Sequence, residues 1–280
     1  MTATSAELAR LRGHSLRIRQ HVVDMCALPD GGHLGGSLSV TDILTVLYFA
    51  VLRVDPLHPD DPDRDRFVLS KGHAALALYA ALAERGYFPV TELAGFGREG
   101  GKFLTHPVRA VPGVEAPTGS LGHGLSLGAG FALSARLAGR ESRAFVVTGD
   151  GELQEGSVWE AAASAAALRL DNLVVIVDRN GFQQSGATEE ICPVKSLAAR
   201  WESFGWAVTE LDGHDLGALA LALNGAPWKR GQPSAIIART VKARGVPFAE
   251  GRWQSHYMRL SERAHARART ALARTGDRDD

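Results

Sequence analysis

Residues 149–180 read GDGELQEGSVWEAAASAAALRLDNLVVIVDRN, with Asp150 between two glycines and Asn180 at the far end. Each of these polar residues follows an apolar run, AFVVT or VVIVD, of the length and composition of a buried strand. Neighbouring parallel strands bring their ends about 5 Å apart, or about 10 Å if one strand intervenes. A carboxylate and an amide oxygen held that way can share one small hard cation, and Mg²⁺ prefers few protein oxygens plus phosphate oxygens and waters. Gly149 and Gly151 offer no side chain, so the backbone can approach a bulky anion. The helical pattern after Gln154 turns its N-terminus toward the same place, which favours a phosphate. The chemistry expected here is a metal-bridged diphosphate. Gly-Asp-Gly alone is equally a common turn, and Asn180 alone a cap. It is the order strand, GDG, helix, strand, Asn that points to a site.

The elements needed to position these residues follow from the rest of the chain. Apolar strands centre near Phe145, Val175, Val208 and Ile236, about 30 residues apart with helical patterns between them. That is the βαβ rhythm of a parallel sheet, predicting a three-layer α/β fold with helices on both faces. FVLS adds a short strand running into the helix HAALALYAALAERG. Upstream, a helix is expected over 5–27, then a Gly-rich loop GGHLGGS, then a buried helix SVTDILTVLYFAVL capped near Ser39 or Thr41. Residues 94–122 are irregular, rich in Gly and Pro, and too long to be an idle connector. The domain is expected to span 1–262, with a charged tail over 263–280 that forms a fraying helix. In sheets of this kind ligands bind at the carboxyl ends of the strands. VLS ends at KGH, AFVVT at GDG, VVIVD at RNG and AIIART at VKARGV.

Composition narrows the class. With 45% hydrophobic and 22% charged residues in 280, the chain has the make-up of an ordinary globular protein. The formal net charge is zero, so the overall balance calls for neither nucleic acid nor a charged membrane. Cys26 and Cys192 are the only cysteines and form no CxxC or zinc-like cluster, which suits a reducing cytoplasm. The N-terminus has no signal-peptide pattern, and LVVIV and ILTVLYFAVL read as too short to span a bilayer. A dinucleotide loop would need a strand before it, and PGVEAPTGS is not one. A P-loop is absent, since GGKF has Phe where Ser or Thr must reach the metal.

GDGELQEGSVWEAA followed by LDNLVVIVDRNGFQQSG resembles the thiamine diphosphate motif of transketolases, in the transketolase rather than the pyruvate dehydrogenase variant. GGHLGGSLSVTDILTVLY, FVLSKGHAALALYAALAERGYFP, THPVRAVPGVEAPTGSLGHGLSLGAG and FGWAVTELDGHD follow the same family in order. The likeness covers most of the chain and is greatest for the N-terminal, diphosphate-binding subunit of split transketolases. It implies the thiamine diphosphate-binding fold, with Asp150, Asn180 and the carbonyl of Phe182 holding Mg²⁺ or Ca²⁺. Gly149 and Gly151 would lie by the diphosphate and His73 would bond to it. Gly119 and Leu121 would run along the cofactor rings, and Glu155 would meet its counterpart across a subunit interface. His33, His106 and His256 would face the reacting carbon, where imidazole can both give and take a proton near neutrality.

The sequence departs from the family at three points. THP stands where GHP is usual, LGHG adds His123 in place of a glutamine, and WQSHYM stretches the usual Trp-His-Gly tail and puts Tyr257 at the glycine. His14, His21, His58, His214 and His265 are expected to be structural or surface residues. The resemblance further implies that a glutamate activating the cofactor, and the groups gripping a sugar phosphate, come from a pyrimidine-binding domain on a C-terminal partner subunit. Two copies of each chain would then form a heterotetramer acting on sugars or sugar phosphates by ketol transfer from a ketose to an aldose. Two other readings are a subunit of another thiamine-dependent carboligase or decarboxylase, and a non-catalytic regulatory paralogue.

Overall fold

A computed structural model of the chain describes residues 3–276; the final four residues of the segment read as a tail lie outside them. In chain order the helices are α1 (Ser5–Cys26), α2 (Leu34–Val46), α3 (Ala75–Arg85), α4 (Gly124–Leu137), α5 (Gly156–Ala167), α6 (Thr188–Ile191), α7 (Leu197–Ser203), α8 (Leu216–Gly225) and α9 (Glu262–Gly276). The strands are β1 (Arg66–Leu69), β2 (Ala144–Gly149), β3 (Leu173–Arg179), β4 (Ala207–Asp212) and β5 (Ser234–Arg239). They form one parallel sheet in the order β1-β2-β3-β5-β4.

Strand alternation sends the two faces into separate cores. Phe145, Val147, Val174, Ile176 and Ile236 pack with buried residues of α1, α2, α3 and α8. Val146, Val175, Val177 and Ile237 pack with those of α4, α5 and α7. The central strands are apolar on both faces, as strands covered by helices on both sides must be. The three-layer α/β fold expected from the βαβ rhythm is the one observed.

Two elements differ from expectation. GGHLGGS is not a loop before a helix capped at Ser39 or Thr41, because α2 already begins at Leu34. Its glycines serve close approach rather than flexibility. A Cβ on Gly35 would fall 2.8 Å from the Ser255 carbonyl oxygen, and one on Gly36 3.0 Å from His73 Nε2. From Leu34 the helix runs on through a π turn at Leu47–Val51. This stretch is long and apolar enough to cross a membrane by length and composition, contrary to the shorter run expected, yet 89% of it is buried in the core.

The end of the chain is the second difference. The helix expected to fray is packed, with Ala268 and Leu272 buried and His265 Nε2 2.8 Å from Asp24 Oδ1 on α1. The long irregular segment before α4 is held just as firmly. Tyr79 donates its hydroxyl to the His106 carbonyl (2.8 Å), Thr118 donates to that of Leu69 (2.7 Å), and Phe96, Phe103 and Val111 are buried.

Candidate active site

The register Gly149↔Asp178 sets the ends of β2 and β3 side by side, so Asp150 and Asn180 leave the sheet next to each other. Asp150 Oδ2 accepts the Gly181 N–H (2.8 Å) and Oδ1 accepts that of Gly151 (3.0 Å). Asn180 Oδ1 accepts the Phe182 N–H at 3.1 Å, and its Nδ2 donates to Ser39 Oγ at 3.4 Å. Both side chains are buried. Burial, and then the neighbouring Asp178, push the Asp150 carboxyl up to about 6. A side chain at Gly151 would force Gln183 to shift, because a Cβ there would lie 2.9 Å from Gln183 Cβ. At Gly149 the nearest protein atom would be 3.9 Å away, so only an approaching ligand would require glycine there.

Four imidazoles converge above this turn. The His33 ring lies 5.5 Å from His73, 5.6 Å from His106 and 5.2 Å from His256, and His73 lies 5.1 Å from His256. His256 reaches this group despite the stretched tail. Gly32 and Met258 exchange both main-chain hydrogen bonds at 2.9 Å, which pins the segment beside His33. Tyr257 then packs its ring edge-on to His33 at 4.8 Å and donates its hydroxyl to the Asp30 carbonyl at 2.8 Å. Burial, followed by the proximity of His256 and His106, holds His33 down at about 3. Burial and Lys242 hold His256 at about 4. His73 lies well below its ordinary value through burial and Lys71, and burial lowers His106 too. All four are therefore neutral rings at neutral pH. His33 Nδ1 is buried with no hydrogen-bond partner among the described residues.

Positive charge comes from two buried lysines that motif spacing does not reveal. Lys71 follows β1 and bonds Asp178 Oδ2 (2.5 Å) and the Gly36 carbonyl (3.1 Å). Lys242 follows β5, donates to the Gln183 carbonyl at 3.2 Å, and is held down at about 8 by burial and by Lys71. Both stand at strand ends marked in the sequence, but a lone lysine has no spacing pattern, and only the fold brings the pair together. Asp178 is also bonded by Ser39 (2.6 Å) and by Thr240. Glu152, likewise without a motif signal, is 2% exposed and sits under the same cavity.

One cavity of about 400 Å³ gathers every residue that the sequence assigns to the cofactor, the metal or the reacting carbon: His33, His73, His106, Gly119, Leu121, Gly149, Asp150, Gly151, Glu155, Asn180, Phe182 and His256. Gly119 lies against His106, where a Cβ would be 3.2 Å from the ring. Gln154, Gln183, Gln184 and Ser185 form part of its wall. His123 lies outside it, its Nδ1 3.1 Å from the Leu121 carbonyl oxygen. The remaining histidines pair elsewhere: His14 and His21 with Glu84, His58 with Asp55, His265 with Asp24. His214 bonds Asp42 (2.7 Å) and accepts the Val241 N–H (2.9 Å).

The donor set suits a diphosphate and a hard divalent cation. Buried Asp150, crowded by Asp178, is a carboxylate that a cation would relieve, and Asn180 adds an amide oxygen beside it. Lys71 and Lys242 can oppose the negative charge of phosphates, and the neutral His73 ring can donate a hydrogen bond to them. No cluster of three or more His, Cys, Asp or Glu poised for a metal occurs among the described residues. A cation here would therefore draw its remaining oxygens from main chain, water and ligand, as Mg²⁺ does.

Comparison with known proteins places the chain in a family. Residues 14–277 match the family described as transketolase, thiamine diphosphate binding domain. The chain is 42% identical over 246 residues to a 6-deoxy-6-sulfo-D-fructose transketolase subunit of Clostridium sp. strain MSTE9, covering 88% of this chain and 90% of that one. It is 39% identical over 251 residues to an apulose-4-phosphate transketolase subunit of Phocaeicola vulgatus, covering 90% and 89%. Among solved structures, a transketolase variant from Pichia stipitis superposes with a TM-score of 0.88 at 32% identity, over 94% of this chain and 40% of that one. The Campylobacter jejuni transketolase gives 0.86 at 30% identity, over 97% and 43%. The chain spans about two-fifths of those solved transketolases and nearly all of the two subunits.

Proposed function

The chain belongs to the transketolase family, carrying its thiamine diphosphate-binding domain, and from that premise we propose that it holds the diphosphate end of the cofactor in a two-chain transketolase. The reaction is transfer of a two-carbon ketol unit from a ketose to an aldose. The observation that supports this reading most is the convergence of Asp150, Asn180, His73, two buried lysines and three further histidines on one cavity at the strand ends.

In this reading Asp150, Asn180 and the Phe182 carbonyl hold Mg²⁺ or Ca²⁺, and Lys71, Lys242 and a ring N–H of His73 bind phosphate oxygens. Gly149 and Gly151, whose own N–H groups are held by Glu152 and Asp150, let the backbone lie close to the diphosphate. Gly119 and Leu121 form the wall along the cofactor rings. When bound, thiamine diphosphate supplies a nucleophilic carbon that can store the electron pair of a cleaved carbon–carbon bond. His33, His106 and His256 take the proton of a substrate hydroxyl at Nδ1 or Nε2 and return it to a forming alkoxide. Their depressed basicity rises once an anion sits beside them, which moves them toward the range useful for proton transfer.

A C-terminal subunit with a pyrimidine-binding domain completes the site, with Glu155 reaching across the subunit interface and two copies of each chain in the assembly. The naming of both relatives as subunits supports a second chain, and their sulfonated or phosphorylated sugars support an anionic sugar substrate. Two unpaired cysteines, one buried and one exposed, suit a reducing cytoplasm. Calorimetric titration of the assembled enzyme with thiamine diphosphate and Mg²⁺ tests the site. Asp150→Ala is expected to abolish binding, and wild-type affinity in that variant would overturn the assignment.

A further inference from the structure

Glu152 poses an electrostatic puzzle. It is a buried carboxylate lining a cavity whose ligand, on the reading above, is itself strongly anionic. Like charges in a common low-dielectric site repel, so an acid there needs a separate reason to exist. Its hydrogen bonds supply one. Oε1 accepts the Ser70 hydroxyl (2.5 Å) and the Gly122 N–H (2.9 Å), and Oε2 accepts the Gly149 N–H (3.0 Å). Ser70 Oγ in turn accepts the Gly124 N–H at 3.1 Å.

These donors come from three segments that are distant in sequence: the end of β1, the loop entering α4, and the end of β2. That loop carries Gly119 and Leu121, and the end of β2 carries Asp150. We propose that Glu152 is a positioning residue for cofactor binding, a carboxylate template that sets the 119–124 loop against the Asp150 turn. The proposal rests on the cofactor assignment made above.

The fit around Glu152 has no slack. A Cβ on Gly122 would lie 2.4 Å from Ser157 Oγ and 2.7 Å from Glu155 Cβ, and one on Gly124 would lie 2.3 Å from Ser70. The loop therefore has one seating, and the carboxylate sets its register with the strand ends. Only an all-acceptor group satisfies three converging donors. A glutamine of the same shape would turn an N–H toward one of them and leave a buried main-chain N–H unpaired. The resulting shift falls on the wall of the cavity rather than on any group that moves a proton.

The test uses the full chain in the assembly it forms with its co-purifying partner. Thiamine diphosphate affinity is measured by calorimetry at saturating Mg²⁺, with turnover and Tm recorded alongside. Glu152→Gln is expected to weaken affinity by about tenfold or more, the loss of a charged hydrogen bond. The defect should fall on the cofactor concentration giving half-maximal rate, with turnover at saturating cofactor largely kept. Ser70→Ala keeps the carboxylate but deletes one donor, and should weaken affinity by about threefold. Unchanged affinity in Glu152→Gln, or lost turnover at unchanged affinity, would overturn the proposal. If Glu152→Gln does not fold, unchanged affinity in Ser70→Ala overturns it. A wild-type assembly that binds no thiamine diphosphate would refute the cofactor assignment itself, and so is distinct from failure of the template.

Discussion

His33, His73, His106 and His256 show how a site can be read from residue types yet acquire its electrostatics only from the fold. Each stands in a recognisable motif, and the structure gathers all four within contact distance. What the sequence does not reveal is that burial and two lysines keep His33, His73 and His256 neutral, because Lys71 and Lys242 carry no pattern of their own. His106 faces the cavity from the irregular segment and makes no bond to the Asp150 turn. His106→Ala is therefore expected to leave cofactor affinity intact while slowing turnover by about a hundredfold or more, the scale of a lost proton-transfer group. An unchanged rate would make it a packing residue.

A pH effect follows at the same scale. His33 is held at about 3 when folded, against an ordinary value of 6.5. Between those values the unfolded chain binds a proton that the folded chain refuses, so this residue's share of stability is present above about 6.5 and lost as pH falls. Asp150, raised to about 6, acts in the opposite sense over its own window, so the comparison must be differential. The cofactor-free His33→Asn variant should lose less Tm than the wild type between about pH 6.5 and 4.5. Parallel pH profiles would contradict the placement of that ring.

Among the elements, the strands were the most legible. Continuous apolar runs bounded by GDG, RNG and VKARGV mark β2, β3 and β5, and the observed bounds fall on those runs. The start of α2 was not legible, because paired glycines read as a loop unless one knows that Ser255 and His73 press against them. Nor was the packing of α9, whose arginine-rich sequence hides the buried Ala268 and Leu272 four residues apart. Leu272→Ala is accordingly expected to cost about 2–5 kcal/mol, read as a Tm lowered by several degrees. A variant that melts with the wild type would mean this helix is the loose appendage its composition suggests.

At the scale of the whole molecule, the βαβ rhythm predicts the parallel sheet and its two helical layers but not the strand order. Spacing along the chain cannot tell that β5 inserts between β3 and β4, since that depends on which crossover turns back. It does decide the central question, because β2 and β3 are direct neighbours and bring Asp150 and Asn180 to one point. The tagged chain, purified from its own source and weighed intact by native mass spectrometry, tests the whole proposal at once. Two different chains in equal number, with the mass of thiamine diphosphate and a divalent cation for each copy of this one, is the predicted result. This chain by itself, with no added cofactor mass, would contradict it.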